Sequence, residues 1–155
     1  MSAVMRVPWT NRLTKLIREP GGVKVEDALE QAKVNLETVR ESSLVAVDAR
    51  LSEIEELHRQ AAAGITPALR DAIYAQASDI HSVAGVFDLA DLGEAAFSLC
   101  ELVDRLRVLD RWDPQAVEVH LYALRLFREP QPQGGEAVLE GLRRVTGRVP
   151  KAALA

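Results

Sequence analysis

The chain contains three histidines, His58, His81 and His120, whose imidazole rings are its strongest candidates for chemistry. A neutral imidazole can act as a nucleophile, a base or a metal ligand near neutral pH, because its ordinary pKa is about 6.5. His58 and His120 fall on or beside apolar positions with helical spacing, which favours structural roles. His81 lies at the edge of such a stripe and faces outward, so it is the candidate for a functional residue.

Small residues flank His81 one helical turn before and after it. A glycine inside a helix costs up to about 1 kcal/mol relative to alanine, and at Gly85 the missing side chain would leave the imidazole uncovered. We therefore predict that a protein partner docks around His81. The predicted docking surface comprises Ser78, Ala84, Gly85 and Asp88. The alternative is a surface histidine beside a glycine that serves close helix packing.

Motifs for other kinds of site are missing from the sequence. It has neither a glycine-rich phosphate-binding loop nor an HExxH or paired Glu-x-x-His arrangement. Cys100 is the single cysteine, which excludes an intrachain disulfide and a multi-cysteine metal site. It lies on an apolar helical stripe without a histidine near it in sequence. We expect no metal ion, no cofactor and no catalytic thiol.

The composition is that of a globular chain of 155 residues, with 48% apolar, 27% charged and 5% aromatic residues. The net charge of -4 is unevenly distributed, since residues 1–24 carry +4, residues 25–129 carry -10 and residues 130–155 carry +2. An acidic body argues against nucleic acid as a partner, because phosphate binding needs a basic face. Without a long apolar run or a secretory signal, and with a single thiol, we expect a cytoplasmic monomer and no membrane partner.

Apolar residues recur at helical spacing along most of the chain. The first stripe comprises Val25, Leu29, Ala32, Leu36 and Val39. The later stripes comprise Leu44, Val47, Leu51 and Ile54; Leu69, Ile73, Ala77, Ile80, Ala84 and Phe87; Leu92, Ala95, Leu99, Leu102, Leu106 and Leu109; Val117, Leu121, Leu124 and Phe127; and Val138, Leu142 and Val145. Thr66-Pro67 and Asp113-Pro114 are typical helix starts, with a capping side chain followed by proline.

The secondary structure of two segments can be predicted in more than one way. The stripes slip out of register at Ser42-Ser43, which predicts a helix break there with a serine cap, while one bent helix over residues 25–62 is the alternative. Alternation over residues 117–123 would suit a strand, but Arg125 interrupts it and helical spacing fits better. Helices with one apolar stripe each bury those stripes by packing together. We predict an all-α fold, an antiparallel up-and-down four-helix bundle with extra terminal helices.

The predicted organisation has a basic N-terminal segment over residues 1–24, the helical bundle over residues 25–129, and a short C-terminal helix and tail over residues 130–155. In the first segment, Thr10 is a possible cap for a short amphipathic helix. For that helix, packing against the bundle or disorder is favoured over a membrane-surface or partner-docking role.

The segment Asp79–Phe87 resembles the core of histidine-containing phosphotransfer (HPt) domains of two-component phosphorelays. Those domains carry a His-x-x-Lys-Gly motif on one helix of a four-helix bundle. His81 matches the phosphoacceptor histidine and Gly85 matches the glycine, while the stripe from Leu92 onward stands where the next bundle helix would be. The resemblance covers roughly residues 25–129.

Two positions depart from the pattern of that family. Ala84 replaces the usual lysine, and Asp91 replaces a glycine that the family often has, although Gly93 is close by. The missing lysine bears on activity, because a nearby cation would help to hold the transferring oxygens.

The resemblance implies that His81 accepts a phosphoryl group from a receiver-domain aspartyl phosphate and passes it to the aspartate of another receiver. The implied partners are receiver domains of response regulators or hybrid kinases, whose magnesium ion would supply most of the charge stabilisation. The chain would be a phosphoryl carrier without an ATP-binding site rather than a turnover enzyme. The alternative is a non-catalytic helical adaptor that binds a signalling partner, a degenerate HPt domain.

Overall fold

The computed structural model describes residues 21–128 and 134–150 of the chain. Within these ranges the backbone forms helices and no strand, which confirms the all-α prediction. The helices are α1 (Val25–Ala61), α2 (Pro67–Val86), α3 (Ala90–Val108), α4 (Pro114–Arg128) and α5 (Gly135–Gly147). None of them is both long enough and apolar enough to cross a membrane. The short helix considered at Thr10 lies outside the described residues.

Helices α2 and α4 begin at the caps that the sequence predicts. The Thr66 hydroxyl accepts a hydrogen bond from the backbone N–H of Leu69 at 3.2 Å, and Asp113 Oδ1 accepts one from the N–H of Ala116 at 3.0 Å. A proline follows each cap, where its missing N–H leaves no helical bond unmade.

Helix α1 runs through Ser42 and Ser43 without interruption. The predicted break is therefore wrong, and the alternative of a single helix is confirmed. Serine is only about 0.5 kcal/mol less favourable than alanine inside a helix, so two serines weaken a helix without ending it. The slip in register lies close to the boundary between the exposed residues up to Val39 and the partly buried residues that follow.

The chain divides into two compact units inside α1, Met1–Val39 and Arg40–Ala155. Every described residue of the first unit is exposed, including Leu29 at 59% and Leu36 at 43%. The stripe from Val25 to Val39, which the sequence predicts as part of the bundle over residues 25–129, is thus exposed in the described structure. Helical spacing shows that one face is apolar but cannot show what covers that face.

In the second unit, one apolar core is shared by the later half of α1 and by α2, α3, α4 and α5. Helix α3 is central, since it packs against α2, α4 and α5. Its contribution is the predicted set of buried residues Leu92, Ala95, Leu99, Leu102 and Leu106. Each fully buried leucine stabilises the fold by roughly 1.5–3 kcal/mol before conformational entropy is subtracted.

Helices α2 and α3 run in opposite directions, as their paired residues show. Asp71, near the start of α2, accepts a hydrogen bond at 2.6 Å from Arg107, near the end of α3. His81, near the end of α2, contacts Gly93, near the start of α3. Between these pairs the Cys100 thiol is buried, 3.9 Å from the backbone carbonyl oxygen of Tyr74.

Helix α5 is attached to α3 and α4 through buried polar side chains as well as apolar ones. Ser98 of α3, His120 of α4 and Thr146 of α5 form one hydrogen-bonded cluster with distances of 3.0–3.2 Å. Arg105 donates to the carbonyl oxygens of Thr146 and Val149 at 2.7 and 2.8 Å. These bonds tie the C-terminal helix to the bundle at a defined position.

Candidate functional site

The His81 side chain is exposed on α2, beside the buried residues Ile80 and Ala84. This is the orientation that the helical stripe predicts, with the imidazole at the edge of the buried face. The ring therefore meets solvent while its helix is held firmly by the core.

A backbone carbonyl of α3 fixes the His81 ring. Its Nδ1 lies 2.9 Å from the carbonyl oxygen of Gly93. A carbonyl oxygen can only accept a hydrogen bond, so this contact places the proton of the neutral ring on Nδ1. The other nitrogen, Nε2, is left with its lone pair, which is the form required of a nucleophile.

Gly93 lies where α3 approaches the histidine closely. A Cβ atom at position 93 would lie 3.4 Å from the Ala84 Cβ and 3.8 Å from His81 Nδ1, which are van der Waals contact distances. In the sequence, Gly93 is only a glycine close to the family's expected position. Its role depends on how α2 and α3 are aligned, which no spacing within one helix reveals.

The ring of Phe97 lies beside the imidazole of His81. The two ring centroids are 5.7 Å apart with planes inclined at 46°, and 56% of Phe97 is exposed. Phe97 is not among the site residues predicted from the sequence. The available indication was an aromatic side chain on α3 that falls outside the buried leucine stripe.

An open groove of about 470 Å³ lies over His81 and is lined by the end of α2 and the start of α3. Three of the four predicted docking residues, Ala84, Gly85 and Asp88, line this groove. The other lining residues are Leu89, Ala90, Gly93, Glu94 and Phe97. The fourth predicted residue, Ser78, is not among them; it lies half-buried one turn before His81.

The predicted docking residues have different surroundings. Ala84 is buried and its methyl group faces α3, so only part of it reaches the groove. Gly85 is exposed, and a Cβ atom there would meet no other atom within 4 Å. Asp88 follows the end of α2 with a φ of 55°, a left-handed conformation that aspartate adopts more readily than most residues.

Within the part of the chain that the structure describes, the groove is lined by two acidic side chains, Asp88 and Glu94, and by no lysine or arginine. Arg143 of α5 reaches Glu94 from outside the groove, with its Nε 2.9 Å from Glu94 Oε1. The same guanidinium contacts Glu136 at 3.2 Å. The hydrogen bond to Glu94, and to a smaller extent the one to Glu136, raises the pKa of Arg143 above its ordinary value. Among the described residues, Arg143 is the only cation that forms an ion pair with a groove residue.

The other two histidines are less available. His120 is completely buried, although the sequence predicts only partial burial, and its Nδ1 donates to the carbonyl oxygen of Ala116 at 2.7 Å. Its Nε2 accepts from the hydroxyl groups of Ser98 and Thr146. Burial lowers the pKa of His120, and the bond to Ala116 only partly offsets that effect.

His58 lies at the end of the bundle, half-buried beside Trp112 with ring centroids 6.4 Å apart. Burial lowers the pKa of His58, while the nearby carboxylate of Glu118 acts in the opposite direction. The buried His58 Nδ1 makes no hydrogen bond to any described residue. Of the three histidines, only His81 is exposed.

Comparison with known proteins does not assign this site. No protein-family model matches the sequence, and no curated protein shows significant similarity to it. Within residues 21–128 and 134–150, no cluster of three histidine, cysteine or acidic side chains is placed to hold a metal ion. The interpretation of the site therefore depends on the geometry around His81.

Proposed function

We propose that this chain is a histidine phosphotransfer protein that relays a phosphoryl group between receiver-domain aspartates through His81. The observation that carries the proposal is the hydrogen bond from His81 Nδ1 to the Gly93 carbonyl oxygen, on a ring that is otherwise exposed. That bond supplies the tautomer needed for attack by Nε2. Such a relay would operate in the cytoplasm, with receiver domains of response regulators or hybrid kinases as partners.

In the proposed step, the lone pair of His81 Nε2 attacks the phosphorus atom of a receiver's aspartyl phosphate. An N–P bond forms while the P–O bond to the aspartyl oxygen breaks, and the electron pair leaves with the aspartate as carboxylate. The imidazole becomes positively charged and keeps its Nδ1 proton. The Gly93 carbonyl oxygen accepts that proton's hydrogen bond and stabilises the charged ring. The reverse step, toward a second receiver, restores the neutral imidazole.

The shape of the groove supports docking of a folded partner at His81. Gly85 presents open space one turn beyond the histidine. A receiver could therefore bring its aspartyl phosphate close to Nε2 without meeting a long side chain from α2. The receiver's magnesium ion would neutralise the charge that develops on the transferring oxygens.

The second candidate is a non-catalytic adaptor, and one observation favours it. Ala84 occupies the position of the family's lysine and is buried against α3, while Asp88 and Glu94 bring negative charge to the groove. A dianionic phosphoryl group is disfavoured beside carboxylates. An adaptor would bind a receiver on the same surface without accepting its phosphoryl group.

Phosphoryl transfer separates the two candidates. The full chain is incubated with receiver domains carrying a radiolabelled aspartyl phosphate, and with radiolabelled phosphoramidate as a small donor. We expect acid-labile, base-stable label on the wild-type chain, mapped to His81, and no label on His81→Gln. Receiver binding without labelling by any donor would contradict the relay and support the adaptor.

A further inference from the structure

A phosphoryl group on His81 would need a positive charge nearby, and no residue of α2 close to His81 supplies one. This inference rests on the proposed phosphotransfer function. A phosphoryl group on Nε2 carries up to two negative charges and would share its groove with Asp88 and Glu94. The position that bears lysine in HPt domains is the buried Ala84, whose side chain faces α3. A positive charge supplied by this chain would therefore come from another element.

We propose that Arg143 of α5 supplies this positive charge to the phosphoryl group on His81. Its guanidinium is paired with Glu94, the residue that follows Gly93 and lines the His81 groove. Helix α5 thus adds to the phosphotransfer site from outside the segment that resembles HPt domains.

The guanidinium has the donor groups for this role. Arginine has five N–H donors, and in this structure Arg143 uses Nε and Nη2 toward Glu94 and Nη1 toward Glu136. When His81 is phosphorylated, the planar guanidinium turns so that part of this set meets the phosphoryl oxygens while the remainder keeps Glu94 neutralised. The long, half-exposed side chain allows that movement without displacement of α5.

The backbone of α5 is held independently of this ion pair. Leu139 and Leu142 are buried, and Thr146 joins the buried cluster with Ser98 and His120. Removal of the Arg143 side chain is therefore expected to leave the helix in place. A change in phosphoryl chemistry in such a variant would report the charge rather than the fold.

The test measures two rates on the full chain, labelling of His81 by phosphoramidate and hydrolytic loss of the label, at low ionic strength. We expect Arg143→Ala to slow labelling by about tenfold, because a preorganised charge near the transferring group is lost. Arg143→Lys should restore most of the rate. Arg144→Ala is the matched control with no expected effect, because the ion pair that Arg144 forms among the described residues is with Glu140 of its own helix.

Glu94→Gln distinguishes a charge effect from a structural ion pair. If Arg143 serves the phosphoryl group, loss of the competing carboxylate makes labelling faster. If the Arg143–Glu94 pair only attaches α5, Glu94→Gln and Arg143→Ala slow labelling alike and lower the melting temperature alike. That second pattern, or unchanged labelling in Arg143→Ala, would overturn the inference and leave His81 as the phosphoacceptor. A wild-type chain that no donor labels would refute the phosphotransfer function and this inference together.

Discussion

His81 and His120 share one feature at the scale of the single residue, a hydrogen bond from Nδ1 to a backbone carbonyl oxygen. They differ in what surrounds the second nitrogen. Nε2 of His120 is buried and accepts from two hydroxyl groups, whereas the His81 ring is exposed beside a groove. Tautomer alone therefore does not identify a nucleophile. The exposure of the lone pair does.

From this difference we predict that His58→Gln and His120→Gln retain labelling by a phosphorylated receiver. A phosphoryl group on His120 would have to leave water at a cost of several kcal/mol, so that site should never carry label in the folded chain. Phosphopeptide mapping at alkaline pH checks the position. Label on either of these histidines in the wild type would overturn the assignment to His81.

The burial of His120 also predicts how stability depends on pH. Its folded-state pKa lies below the ordinary value of 6.5, so the unfolded chain takes up a proton at a higher pH than the folded chain does. Below about pH 6.5 the unfolded state then binds more protons, and the free energy of unfolding falls as the pH drops. The lowered pKa of His58 acts in the same direction.

Urea unfolding of the wild type between pH 7 and pH 5 should show this decline. His120→Gln should be less stable at pH 7 by about 1–3 kcal/mol, because Ser98 and Thr146 lose a buried partner. The variant should also depend less on pH over the same range, with His58 accounting for the residual slope. Equal slopes in wild type and variant would contradict the prediction.

At the scale of the helix, Gly85 allows substitutions that separate docking from stability. Because a Cβ atom there meets no other atom within 4 Å, Gly85→Ala should stabilise α2 by roughly 0.5–1 kcal/mol and keep phosphotransfer. Gly85→Arg should fold equally well but block transfer from a receiver, since its side chain fills the docking surface. Thermal unfolding and labelling by a phosphorylated receiver measure the two effects. Normal transfer by the arginine variant would place the docking surface elsewhere.

Labelling with phosphoramidate is the control for the Gly85→Arg variant. This donor is small enough to reach His81 beside an arginine, so the variant should still be labelled by it. Loss of labelling by both donors would show that the substitution damages the histidine itself.

The helices of the bundle could be predicted from sequence because their causes are local. The caps at Thr66 and Asp113 and the leucine stripe of α3 depend on residues within a few positions of one another. The stripe from Val25 to Val39 shows the limit of such patterns. It has the same spacing as the buried stripes, yet its residues are exposed, because burial depends on which other element lies against the face.

The candidate site could be predicted only in part, for the same reason. His81 and Gly85 share a helix, so their relation follows from the period of 3.6 residues. Gly93 and Phe97 meet His81 only because α2 and α3 pack antiparallel in one register. Arg143 is more distant still, since its pairing with Glu94 joins helices separated in sequence by α4.

At the scale of the whole molecule, the two ends of the chain should contribute unequally to stability. All described residues before Arg40 are exposed, whereas α5 buries Leu139 and Leu142 and supplies Thr146 to the polar cluster. We predict that removal of residues 134–155 destabilises the protein by at least about 4 kcal/mol, from two lost leucines and unsatisfied buried groups. Urea denaturation measures the loss.

Removal of residues 1–39 is the matched comparison. It should change the free energy of unfolding by no more than about 1 kcal/mol and should leave His81 labelling intact, because every described residue in that range is exposed. The prediction would be contradicted if deletion of residues 1–39 unfolded the protein while deletion of residues 134–155 left it stable.

The alkylation rate of the buried Cys100 can report how often the contact between α2 and α3 opens. Burial raises the pKa of its thiol to about 11, so only roughly one molecule in ten thousand carries a thiolate at pH 7. Alkylation of Cys100 should therefore be slow at neutral pH and should become faster when the two helices separate and the sulfur regains ordinary acidity. Because His81 is held across the same contact, the alkylation rate should rise in variants that loosen the Gly93 carbonyl from the imidazole. The single native thiol thus allows transient separation of α2 and α3 near His81 to be measured without an engineered probe.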